Sequence, residues 1–85
     1  MAATTNFQVN GIGKMTQARL DAAVKRGIGA RPGKWRVQFL GSTAEDVWEM
    51  CVSGPRVETT EYLDRALGQL EPDYVASAVE RIASS

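Results

Sequence analysis

The stretch Ser42-Thr43-Ala44-Glu45-Asp46-Val47-Trp48-Glu49-Met50-Cys51-Val52-Ser53-Gly54 decides the fold of this chain, because it reads two ways. As a helix, Ser42 is the cap and Glu45 closes a capping box, while Ala44, Val47, Trp48, Cys51 and Val52 make one apolar stripe that Gly54 and Pro55 stop. As a strand, Trp48, Met50 and Val52 alternate with Val47, Glu49 and Cys51, and Ser53-Gly54-Pro55-Arg56 turns into another strand, Val57 to Tyr62. Valine, tryptophan and threonine are dense over 47–60, which favours the strand.

The preceding segment argues the same way. Lys34 to Leu40 alternates cleanly, with Trp35, Val37 and Phe39 on one side and Lys34, Arg36 and Gln38 on the other. A lone strand has no partner for its backbone donors and acceptors, and a meander through 46–53 and 56–62 supplies one. The meander is expected to set Lys34 and Arg36 beside Glu49 and either Glu58 or Glu61.

Helices are expected on either side of the meander. Thr16 to Arg26 carries the stripe Leu20, Ala23 and Val24, with Thr16 as its cap, Lys25 and Arg26 in the last turn and Gly27 as the left-handed closing residue. Gly27 to Gly33 is a loop, and Leu63 to Leu70 is a connection or short helical turn ended by Gly68. From Pro72, the residues Tyr74, Val75, Ala78, Val79 and Ile82 follow helical spacing. The expected fold is a small two-layer α+β domain over 14–85: helix, three-stranded antiparallel sheet, helix. Residues 1–13 are expected as a flexible arm in which Phe7 and Val9 offer a short edge strand. With 43–53 helical, the alternative is a mostly α domain. Helix, three strands and helix is also the order in double-stranded-RNA-binding domains. Their last helix opens with lysines that grip phosphate, where this chain has Glu71-Pro72-Asp73.

Chemistry-bearing motifs are few. Gly13-Lys14 lacks the serine or threonine after the lysine and the earlier glycine that a phosphate loop needs, having Met15 and Gln8 there. Gly27, Gly29 and Gly33 follow a helix where a dinucleotide loop follows a strand. Cys51 has no histidine to activate it, and the chain contains none. No acid, base and nucleophile set stands out, so the chain reads as non-enzymatic, with no cofactor and no metal expected. One cysteine points to a reducing, cytoplasmic setting. No long apolar run or basic-then-apolar leader points to a membrane or to secretion.

Charge carries the remaining information. Residues 1–41 hold seven basic residues and one acid, a net of +6, and residues 42–85 hold three basic residues and nine acids, a net of −6. Such polarity speaks of partners, not of fold. The leading expectation is a protein-interaction module whose acidic surface, Glu45, Asp46, Glu49, Glu58, Glu61 and Asp64, meets a protein partner with a basic surface. A small phage- or mobile-element-type accessory or inhibitor that occludes a basic nucleic-acid-handling partner fits this size and charge. The second expectation is direct nucleic-acid binding through Arg19, Arg26, Arg31, Lys34 and Arg36. The third is a structural subunit or homo-oligomer in which the oppositely charged halves meet.

Overall fold

The computed structural model describes residues 2–85, and its elements run β1 (Ala2–Asn10), α1 (Lys14–Ile28), β2 (Lys34–Ser42), β3 (Val47–Gly54), β4 (Val57–Asp64), a 3-10 turn (Arg65–Leu67) and α2 (Pro72–Ala83). This is the expected small α+β domain, with four strands instead of three. The strand order is β1-β2-β3-β4. The pair β1–β2 is parallel and the other two pairs are antiparallel, so the sheet is mixed.

The ambiguous stretch splits into a turn and a strand. Ser42 does cap, but it caps a turn: its Oγ accepts from the Ala44 amide at 3.1 Å, and its carbonyl accepts from the Glu45 amide at 3.0 Å and from the Trp48 indole at 2.9 Å. From Val47 the chain is a strand, paired with β4 from Val47 and with β2 from Glu49, which overturns the helical alternative for 43–53. The helical stripe and the strand alternation share Trp48 and Val52, and backbone pairing with two neighbours outweighs the stripe.

The extra strand is a correction to the expected arm. Ala2–Asn10 lies in register beside β2, with Thr5 against Val37 and Phe7 against Phe39. Its alternation is weak in sequence because Ala3 and Thr5 stand where larger apolar residues would make it obvious. Met1, the first residue of that expected arm, lies outside the described residues.

Helix α1 also differs from expectation at both ends. It begins at Lys14 with Gly13 as its cap and no side-chain capping bond, so Thr16 lies inside the first turn. It continues to Ile28, and the closing residue is Gly29, at φ +61° and ψ −136°, a positive-φ conformation outside the left-handed helical region. Gly27 is therefore inside the helix, and its bare Cα is where α2 comes closest: a Cβ there would stand 2.6 Å from the Ala76 carbonyl oxygen and 2.9 Å from Val79 Cβ.

Both helices cover one face of the sheet. Leu20, Val24 and Ile28 of α1 and Val75, Val79 and Ile82 of α2 close over Val37, Phe39, Met50, Val52 and Leu63. Burying each such side chain contributes about 1.5–3 kcal/mol. Tyr74, expected in the stripe of α2, instead remains 36% exposed. Trp35 roofs the turn end of the sheet: its ring lies against Gly54, and its indole donates to the Pro32 carbonyl at 3.1 Å. Any Cβ at residue 54 would run into that ring.

Candidate interaction surface

The second face of the sheet is uncovered, and period-2 alternation dictates what stands on it. Pairing register arranges these side chains in rows across the four strands: Thr4, Arg36, Ser53, Glu58; then Asn6, Gln38, Cys51, Thr60; then Gln8, Leu40, Glu49, Tyr62. The middle row is polar and neutral, and within it the Thr60 hydroxyl meets the Cys51 sulfur at 3.4 Å. Charge sits at the two ends.

At the start of β2, Lys34 and Arg36 stand two residues apart on the same face. They line a shallow depression of about 490 Å³ with Thr4, Trp35, Ser53 and Gly54. The opposite end, where β2 turns into β3, carries a depression of about 390 Å³ lined by Leu40, Gly41, Glu45, Val47, Glu49 and Tyr62. Tyr62 is 62% exposed and Val47 43% exposed there, an aromatic and an aliphatic group beside two carboxylates. On this face Lys34 and Arg36 thus stand at one end, in the row of Glu58, and Glu45 and Glu49 at the other.

The six acids expected to form one surface do not all reach it. Glu45 and Asp46 are in the β2–β3 turn, Glu49 is on the uncovered face and Asp64 is at the end of β4. Asp64 Oδ1 accepts from the Ala66 amide at 2.9 Å, capping the 3-10 turn. Glu58 is on the uncovered face at the opposite end, in the row of Arg36. Glu61 has the opposite parity and leans over the helix side, where Arg81 of α2 donates to both carboxylate oxygens at 2.8 and 2.9 Å. The Glu61 contact raises the Arg81 pKa above its ordinary value. Arg81→Ala should cost about 0.5–1 kcal/mol in a urea melt, the usual size for an exposed pair.

The expected cross-strand pairing of Lys34 and Arg36 with Glu49 is corrected by the register. Arg36 faces Ser53, and Glu49 faces Leu40. Neither Lys34 nor Arg36 forms an ion pair among the described residues. The other three basic candidates lie elsewhere. Arg19 is exposed on α1. Arg26 bonds Asp73 at 3.0 Å and ties α1 to α2. Arg31 donates to the Gly27 and Ile28 carbonyls, both at 3.0 Å, and to Ser84 Oγ, so it closes the end of α1.

Sequence reading missed Tyr62, Val47 and Leu40 as surface groups. The signal was present for Leu40, which shares the parity of Lys34, Arg36 and Gln38. It was present for Val47 too, which the strand reading sets with Glu49 and Cys51, whereas no face was assigned within 57–62 to place Tyr62. No group of three or more acidic, cysteine or histidine residues among the described residues is placed to hold a metal ion, and no described helix is long and apolar enough to cross a membrane. No protein-family model matches the chain, and neither a curated protein nor a solved structure matches it.

Proposed function

We propose that this chain is a non-enzymatic protein-interaction module that engages a basic protein partner through the acidic end of its uncovered sheet face. One observation carries the reading: Tyr62 and Val47 are exposed in the same depression as Glu45 and Glu49. An arginine or lysine side chain laid over the tyrosine ring is attracted by the ring's negative face, its stem covers Val47 and Leu40, and the carboxylates take its charge. Aromatic anchors with charged neighbours are what dominate protein interfaces. The Lys34–Arg36 end repels the same basic partner, so the face selects both partner and orientation. A small accessory or inhibitor protein acting in a reducing cytoplasm on a basic nucleic-acid-handling partner is the biological form of this reading.

A second reading rests on Lys34 and Arg36 beside the Thr4 and Ser53 hydroxyls, a set suited to phosphate. Two phosphate contacts give a log–log salt slope of only about −1.8 on duplex DNA, which is weak non-specific binding. That magnitude places it second.

The test is an amide chemical-shift titration with an unstructured arginine–serine peptide and, separately, a mixed-sequence DNA duplex. Peptide shifts should centre on Leu40, Val47, Glu49 and Tyr62, and the combined Glu45→Lys, Asp46→Lys and Glu49→Lys changes should weaken peptide binding more than about tenfold. A silent peptide with duplex shifts at Lys34 and Arg36 would replace the leading reading with the second.

A further inference from the structure

The two outer strands of this sheet are not alike. An edge strand presents unpaired backbone N–H and C=O groups, and proteins blunt such edges with charge, proline, bulges or a covering segment. Strand β4 is blunted. It carries Glu58, Glu61 and Asp64, and Gln69 covers its end, donating its amide to the Asp64 carbonyl at 3.1 Å and accepting from the Asp64 amide at 2.9 Å. Strand β1 has none of these devices. Its nine residues include no charge and no proline, and it pairs with β2 residue for residue without a bulge. Among the described residues, its backbone hydrogen bonds are those of the β2 ladder and one from the Thr43 amide to the Asn10 carbonyl. Ala3 and Phe7 are only partly buried against the core.

We propose that a second copy of this chain pairs along the outer edge of β1, antiparallel about a two-fold axis at Asn6, making one continuous eight-stranded sheet. This is independent of the basic-partner reading. Three observations choose a second copy as the occupant. First, a two-fold axis sets each strand against itself, and a strand without charge does so with no like charges opposed in any register. β1 meets that condition and β4 does not. Second, the register centred on Asn6 uses the whole strand and keeps the two faces separate. Ala3 then faces Val9 and Thr5 faces Phe7 on the helix side, while Thr4 faces Gln8 and Asn6 faces its own copy on the open side. Ala3, Phe7 and Val9 thereby each gain a neighbour across the axis, and a shift by one residue would put Phe7 opposite a polar open-face residue. Third, the axis is perpendicular to the sheet, so the two charge-split faces lie side by side in opposite directions. The Lys34–Arg36 end of one copy then flanks the Glu45–Glu49 end of the other. Those groups are separated by several strand spacings, about 19 Å, so their attraction is largely screened and orients the pair more than it holds it.

Light scattering after size exclusion, run on the whole chain from micromolar to millimolar concentration, tests this. The mass should rise from one 9.2 kDa chain to two. Asn6 is exposed on the open side, so Asn6→Lys leaves the circular dichroism spectrum and the melting curve of the dilute, monomeric chain unchanged while it opposes two ammonium groups across the axis. It should weaken the dimer about tenfold or more. Asn6→Asp should behave in the same way, and mixing the two variants should restore a heterodimer. Thr60→Lys, in β4, should leave the dimer intact. A wild-type chain that stays monomeric throughout overturns the proposal, including the case where the edge serves a strand of some other protein. A dimer indifferent to Asn6→Lys, or variants that fail to pair when mixed, overturn it as well.

Discussion

Phe39→Ala lowers the unfolding free energy by about 3–5 kcal/mol, the range for emptying a buried aromatic site. Phe39 is fully buried at the centre of β2, stacked on Phe7 with ring centroids 5.3 Å apart and paired across the ladder with Met50. The ring therefore joins β1 to the meander as well as filling the layer beneath the helices. A domain of this size holds only about 4–13 kcal/mol in all, so the variant loses a large part of its stability. Urea denaturation followed by tryptophan fluorescence reads the effect as a midpoint lowered by roughly 2–4 M. Phe39→Leu, which keeps most of the volume, should cost about 1.5 kcal/mol or less. A loss below about 1 kcal/mol for the alanine variant would mean that the ring is not in the core.

Gly27→Ala destabilises by about 1–3 kcal/mol, against the usual sign. Within a helix, glycine is worse than alanine by about 1 kcal/mol, so an ordinary site would gain stability from the change. At residue 27 the added carbon meets the backbone of α2 at the Ala76 carbonyl, which is not a flexible side chain and moves only with its helix. Separating the helices strips contact from Val24, Ile28, Val75 and Val79, all fully buried. Gly29→Ala, where the chain adopts φ +61°, is also unfavourable, but through backbone strain at the helix end and not through the helix–helix contact. Double-mutant cycles with Val79→Ala separate the causes in melting curves: Gly27→Ala, whose added carbon also meets Val79, should be non-additive with it, and Gly29→Ala, whose added carbon meets no atom of α2, should be additive.

What could be read in the sequence depended on how many signals each segment carried. β2 and α2 have a strong period and bounding turn residues, and both lie where expected. The meander followed from the β-forming composition of 47–60 together with the unsatisfied backbone groups of a lone strand. β1 was nearly invisible because two small or polar residues, Ala3 and Thr5, occupy core-side positions. Gly27 looked like a helix stop because local chemistry cannot report that another helix, about fifty residues away in sequence, needs the space. The acidic surface was half legible. Glu45, Asp46 and Glu49 gather at the β2–β3 end, whereas Glu58 stands at the other end and one unit of parity sent Glu61 across the sheet to Arg81.

The parallel strand has a kinetic consequence. Each β1 residue pairs with one 32 positions further along the chain, while Gly54 and Val57 close the β3–β4 hairpin across a single tight turn. Forming distant pairs requires closing a large loop before any contact rewards it, so the meander forms early and β1 docks late. During synthesis β1 also emerges before β2 and has no ladder partner until β2 exists. The uncharged edge is thus the segment left longest without a partner on either side, and a second copy that captures it at that stage would exchange strands between chains instead of merely adding one.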